Sequence, residues 1–238
     1  MTAAIVQARM GSSRLPGKVM LQSAGKPLLG HLIERLGNAK TLDRIIVATS
    51  SDPQDDLIAE YCAAEGILVF RGSEQDVLDR YYQAALAHAV DLVVRITADC
   101  PLIDTRILDR MVTIVRQDGA YDLVTNRHPL TFPDGLDVDV MPIASLRHAW
   151  EHATTAWQRE HTIPFFWEAG LRVRNVEHTP SLFAEYRWTL DYPEDFQLID
   201  RILTDLYEEG QPFYMEDILE YMGQHPEVRA LNACHLPQ

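Results

Sequence analysis

The stretch Gln7-Ala8-Arg9-Met10-Gly11-Ser12-Ser13-Arg14-Leu15-Pro16-Gly17-Lys18 holds the densest chemistry in the chain. Its glycines let the backbone turn amide groups toward a ligand, Ser12 and Ser13 add hydroxyls, and Arg14 and Lys18 add positive charge. Such a nest of donors and cations suits a triphosphate. A basic surface loop with ordinary turn glycines has the same composition, so both readings stand at this point. It is not a Walker A loop: five residues separate Gly11 from Gly17, and Val19 stands where a magnesium-binding hydroxyl belongs. The dinucleotide pattern G-x-G-x-x-G is also absent. Farther along, Asp99 follows the apolar run Leu92 to Ile96, and Pro101 fixes the turn after it. Asp191 ends the extended run Trp188-Thr189-Leu190, with Pro193 opening a helix. Two carboxylates at strand ends suit magnesium when phosphate oxygens and water complete its octahedron. They suit helix N-caps equally well.

Other polar groups carry weaker signals. Asp134, Asp137 and Asp139 alternate with apolar residues after a Pro-Asp-Gly turn at Gly135, as a half-buried strand would. They are placed either to bind sugar hydroxyls or to face solvent. Arg159 and His161 are candidates for an anionic group on an acceptor, or helix-surface charges. His148-Ala149-Trp150-Glu151-His152 matches H-x-x-E-H, an inverted zinc-peptidase pattern, but lacks any companion feature and reads better as a helix surface. The patch Phe165-Phe166-Trp167 reads first as core.

The elements that must position these groups alternate from the first residues. Strands are expected at Ala3–Gln7, Arg44–Thr49, Ile67–Phe70, Leu92–Ile96, Tyr121–Val124 and Val138–Met141. Helices are expected at Leu28–Leu36, Leu57–Glu65, Val77–His88, Ile107–Val115, Ile143–Ala153, Phe196–Tyr207 and Met215–Met222. This rhythm implies right-handed crossovers and a mostly parallel sheet with helices on both faces. We expect one α/β domain over 1–238 with an inserted lobe at about 127–180. Ligands of such sheets bind beyond the carboxyl ends of the strands, where Asp99 and the first loop fall.

Composition narrows the functional class. An apolar content of 47% can furnish a full core, and no apolar run reaches the ~20 residues of a membrane span. Three cysteines, Cys62, Cys100 and Cys234, form no C-x-x-C, which points to a reducing compartment; a cytoplasmic location follows as an expectation. A net charge of -14 argues against general nucleic-acid binding. Yet residues 1 to 33 contain Arg9, Arg14, Lys18 and Lys26 and no Asp or Glu. A polyanionic ligand at that end is the simplest reason.

The first loop resembles the signature loop of cytidylyltransferases that activate acidic sugars, in particular the spore-coat-polysaccharide (SpsF-like) branch. It is also similar to that of 3-deoxy-manno-octulosonate cytidylyltransferase and, more distantly, of CMP-N-acylneuraminate synthetase. The likeness extends through Arg95 to Asp104, Pro133 to Val140, Arg159 to Thr162 and Arg187 to Phe196. The resemblance implies a Rossmann-like (GT-A-like) nucleotidyltransferase fold and transfer of CMP from CTP to a small acidic sugar, with pyrophosphate released. It implies that Arg14 and Lys18 hold the triphosphate and that Asp99 and Asp191 bind Mg2+. Ala8, Arg9, Gly11, Ser12, Ser13, Thr97 and Asp99 would line the nucleotide site, and Arg71 falls where the relatives contact cytosine. A homodimer formed through the inserted lobe, with Phe165 to Trp167 as a contact, is a further implication. The acylneuraminate enzymes carry a small polar residue in place of the first carboxylate, so Asp99 follows the octulosonate pattern. In-line attack on the α-phosphate rests on positioning and electrostatics, so no protein nucleophile is expected.

Overall fold

A computed structural model describes residues 1–237. Its strands are β1 (Thr2–Gln7), β2 (Gln22–Ser23), β3 (Lys26–Pro27), β4 (Arg44–Ser50), β5 (Leu68–Gly72), β6 (Leu92–Thr97), β7 (Leu123–Thr125), β8 (Asp139–Pro142) and β9 (Val173–Asn175). The helices are α1 (Leu28–Gly37), α2 (Asp56–Ala64), α3 (Val77–Ala87), α4 (Thr105–Asp118), α5 (Ile143–His152), α6 (Ala156–His161), α7 (Pro164–Glu168), α8 (Pro193–Leu206), α9 (Met215–Gln224) and α10 (Pro226–Arg229).

Seven strands form one sheet in the order β5-β4-β1-β6-β8-β7-β9, and β2 pairs with β3 separately. The first four strands run parallel, as expected. The eighth strand is antiparallel to both neighbours, and β9 runs parallel to β7. Residues 127–180 thus contribute β8 and β9 to the main sheet as well as α5, α6 and α7.

Alternation along the central strands explains the layering. Ala4 and Val6 of β1, Val47 of β4 and Val94 and Ile96 of β6 join one buried cluster with residues of α1, α2, α4, α8 and α9. Their neighbours Ala3, Ile5, Ile46, Ala48 and Val93 join a second cluster with residues of α3, α5 and α7. Each strand residue is therefore buried on one face or the other, which is why these runs are continuously apolar. Phe165 and Phe166 belong to that second cluster and are buried, in line with the core reading. No helix among the described residues is long and apolar enough to cross a membrane.

Candidate active site

The first loop leaves the sheet between β4 and β6. Ala8 donates its amide to the Ala48 carbonyl (3.2 Å), and Gln7 accepts from the Ala98 amide (2.9 Å). The Met10 amide donates to Asp55 (2.6 Å), a fully buried carboxylate that also accepts from the Ser50 amide (3.2 Å). The Met10 carbonyl accepts from both Ser12 (2.9 Å) and Gly17 (3.0 Å), which closes the loop. Gly17 turns through a left-handed φ of 69°, where a side chain would be strained. Its amide is thus spent on the loop rather than aimed at a ligand, contrary to the sequence reading. The amides of Gly11, Ser13 and Arg14 form no hydrogen bond among the described residues, which leaves them open to an anion.

The two distant carboxylates arrive at this loop. The Leu190 amide donates to the Asp99 carbonyl (2.8 Å), which draws the segment before Asp191 against the end of β6. Trp188 to Leu190 is extended, yet it forms no strand of the sheet; its register is set by a single bridge between Asp134 and Arg187. That bridge needs Gly135, whose φ is +109° and where a Cβ would lie 2.5 Å from the Thr189 nitrogen. Lys18 then ties the parts together: its Nζ reaches Asp99 (3.3 Å), Asp191 (3.0 Å) and the Leu190 carbonyl (2.6 Å). Arg14 pairs with Asp191 (2.9 Å) and donates to the Tyr192 hydroxyl (3.2 Å).

Neither carboxylate is a helix cap. Asp104 caps α4 by accepting from the Arg106 amide, and buried Asp195 accepts from the Asp191 and Tyr192 amides at the start of α8. Arg187 joins Asp191 (3.0 Å), Asp195 (3.1 Å) and Asp134 (2.7 Å) in one network. Burial pushes the Asp191 carboxyl up, but Lys18, Arg14 and Arg187 more than offset this and hold it below the usual range. It is therefore a carboxylate at neutral pH.

Arg14, Lys18, Asp99 and Asp191 line a cleft of about 340 Å³ with Gln7, Arg9, Gly11, Ser12, Ser13, Thr97, Glu160 and His161, a size that suits a small molecule. His161, from α6, lines the same cleft; burial lowers its pKa, so it is mostly neutral at pH 7. Ala8 is buried at the base of the loop rather than lining the cleft.

The remaining candidates are engaged elsewhere. Arg159 pairs with Asp76 (2.6 Å) and donates to the Trp150 carbonyl. Arg71 pairs with Asp56 (2.6 Å) and donates to the Ser50 and Asp52 carbonyls, bracing the turn after β4. The Asp134, Asp137 and Asp139 alternation does not face solvent. Asp139 is buried against Arg95 (2.9 Å) and Thr125 (2.6 Å), Asp137 pairs with Arg127 (2.8 Å), and Asp134 with Arg187. Burial raises Asp137, and burial with the nearby Asp137 pushes Asp134 up to about 6 despite Arg187.

The sequence reading missed Asp55, Glu160 and Arg187. Arg187 had a visible signal, lying four residues before Asp191 in the same block; Asp55 had none beyond a helix-start pattern. Among the described residues, no three His, Cys, Asp or Glu side chains converge as a metal cage. His148 and His152 lie on an exposed helix face without a third ligand. Asp99 and Asp191 both reach Lys18 and supply hard oxygen donors. Two carboxylates completed by phosphate oxygens and water fit Mg2+, which rarely uses an all-protein cage. A second cavity of about 300 Å³, between α1 and α8 at His31, Arg35 and Tyr207, shares no residue with this site.

Known proteins give the family and the fold. A family model described as cytidylyltransferase matches residues 3–218. The spore coat polysaccharide biosynthesis protein SpsF of Bacillus subtilis is 33% identical over 236 residues, covering 94% of this chain and 95% of that protein. A 3-deoxy-manno-octulosonate cytidylyltransferase of Anaeromyxobacter is 33% identical over 149 residues, covering 61% of this chain and 59% of its own length. The solved structure of a cytidylyltransferase from Leptospira borgpetersenii superposes with a TM-score of 0.90 at 31% identity, over 95% of each chain.

Proposed function

The chain belongs to the cytidylyltransferase family, a group of nucleotidyltransferase enzymes with this α/β fold, and from that premise we propose that it transfers CMP from CTP to a small acidic sugar with release of pyrophosphate. One observation carries the reading: Lys18 touches both Asp99 and Asp191 beside three unpaired loop amides. That arrangement gathers what a triphosphate and its counter-ion require.

In this reading the amides of Gly11, Ser13 and Arg14 bind phosphate oxygens, with the Ser12 and Ser13 hydroxyls beside them. Arg14 and Lys18 offset the charge of the triphosphate. Asp99 and Asp191 would hold Mg2+, which when bound offsets charge on the reacting phosphate and the leaving group. An acceptor oxygen forms a bond to the α-phosphorus as the bond to the β-phosphate oxygen breaks, and the acceptor's proton is released. The loop and Asp195, which locks the turn at Asp191, hold these parts in line; orientation is a large share of the catalysis.

The acceptor assignment draws on the octulosonate enzyme named above and on SpsF's role in polysaccharide biosynthesis. Its support within the chain is Arg9 and His161, which line the same cleft as the phosphate loop and can donate to an acceptor carboxylate. A phosphorylated acceptor would call for a further free cation, and Arg159 is committed to Asp76. Pyrophosphate release, measured with each of four nucleoside triphosphates against a panel of sugar acids, tests the proposal. CTP-dependent release with at least one acid is expected. Its absence with every acceptor would overturn the reading.

A further inference from the structure

Lys18 is asked to serve two partners. In the proposed reaction it meets the triphosphate, yet in the structure its ammonium is held by two carboxylates and one carbonyl. Only 12% of its side chain is exposed, so this is an enclosed contact rather than a chance surface pair. Arg14 shares the Asp191 Oδ1 with Lys18, and Arg187 takes Oδ2. Asp191 is thereby saturated by cations from the protein itself. Asp99 and Asp191 would repel each other in this enclosed space without a positive charge between them.

A divalent ion needs the same carboxylate oxygens. It cannot bind them while Lys18 and Arg14 do, since a dehydrated cation and an ammonium placed on one oxygen pair repel each other. The residues that block the ion line the same cleft as the loop, and Arg14 carries one of its unpaired amides. A triphosphate seated on those amides offers Lys18 and Arg14 new anionic partners and frees the carboxylates.

Resting on the proposed use of CTP and Mg2+, we infer that Lys18, assisted by Arg14, is a built-in stand-in for the divalent ion. The free protein keeps its metal ligands neutralised by Lys18, and the ion enters only with the nucleotide, by exchange of one cation for another. Metal binding to the protein alone is therefore weak by construction. The lysine acts as a gate against metal without substrate as well as a phosphate ligand.

Thermal unfolding with Mn2+ as the probe tests this without reference to turnover. For wild type, Mn2+ alone is expected to leave the melting temperature within about 1 °C, whereas CTP with Mn2+ raises it by about 3 °C or more. Lys18→Met is expected to melt lower than wild type without metal, because two carboxylates lose their shared cation. Mn2+ alone should then raise its melting temperature by about 3 °C, with a dissociation constant at least about tenfold tighter than that of wild type. Circular dichroism at low temperature confirms that the variant folds. Should it not fold, the wild-type arm decides: electron spin resonance of Mn2+ with the protein alone must show free ion at concentrations where CTP brings it onto the protein.

Wild type stabilised as much by Mn2+ alone as by Mn2+ with CTP would overturn the exchange while leaving the cytidylyltransferase reading intact. No stabilisation of wild type by CTP and Mn2+ together would instead remove that reading.

Discussion

Two groups of carboxylates face arginines and lysine within one molecule, and they do different work. In the cleft, Asp99 and Asp191 meet Lys18 and Arg14; behind it, Asp139 and Asp137 meet Arg95 and Arg127. The Asp99 side chain is 31% exposed and that of Asp139 only 1%. A buried pair that loses one member leaves an uncompensated charge, at ~3–5 kcal/mol. The cleft pairs are enclosed around Lys18 but reach water at Asp99, where a partner can be traded at less cost to the fold. Similar chemistry thus yields an exchangeable site at the strand ends and a fixed brace between β6, β7 and β8. Burial fixes Asp139, whereas Asp137 and Asp191 are equally exposed and differ in that only Asp191 lines the cleft.

Substitutions can break that contrast. Asp191→Asn should lower CTP-dependent pyrophosphate release about a thousandfold, of order 4 kcal/mol in barrier, with the melting temperature shifted by less than about 3 °C. Activity at wild-type level would remove Asp191 from the reacting centre. Asp139→Ala should act the other way round. Leaving Arg95 and Arg127 without their shared partner should destabilise by ~3–5 kcal/mol, a fall of roughly 10 °C, while the folded fraction still binds CTP. Loss of CTP affinity at unchanged stability would place Asp139 in the site and erase the distinction.

Gly135 joins the two regions, since its bare backbone lets Trp188 and Thr189 pass and so brings Asp191 home. Gly135→Ala is expected to cost about 1–3 kcal/mol through strain and to lower turnover as well. An unaffected turnover in a destabilised variant would show that Asp191 finds its place without this contact.

Asp134 lies between the regions and sharpens the comparison through pH. Its folded pKa of about 6 exceeds its ordinary 3.8, so between those values the native state holds more protons than the unfolded chain. Stability from this group is full below about pH 4 and is lost as pH rises through 6. Denaturant midpoints across that window should fall with pH in wild type and fall less in Asp134→Asn; identical slopes would show that Asp134 titrates normally. The smallest effect is expected at His148→Gln with His152→Gln. Stability should change by less than ~0.5 kcal/mol and zinc content by nothing, as for exposed helix positions. Zinc bound at one ion per chain in wild type and lost in the variant would refute that.

Most elements were legible because their signals are local. Val77–Ala87, Leu92–Thr97 and Arg44–Ser50 differ from the expected bounds by a residue at most, since apolar periodicity and capping residues act within a few positions. The antiparallel direction of β8 carried no such mark, because strand direction depends on where the chain returns. Trp188 to Leu190 read as a strand from its residue types, yet its partners are single residues of two different segments, so no ladder forms.

The site divides along the same line. Residue types and spacing left the loop from Gln7 to Lys18 open between a triphosphate nest and a surface turn, and Asp99 and Asp191 open between metal ligands and helix caps; the resemblance to cytidylyltransferases is what favoured the first of each. Tertiary structure decided that these meet: Lys18 lies 81 residues from Asp99 and 173 from Asp191, and no local pattern encodes such distances. It also decided that Arg159 and Arg71 brace their surroundings, and that the aspartates after Gly135 are paired inside. A charged side chain's role follows from its nearest opposite charge and its access to water, and in a folded chain both are set by segments far away in sequence.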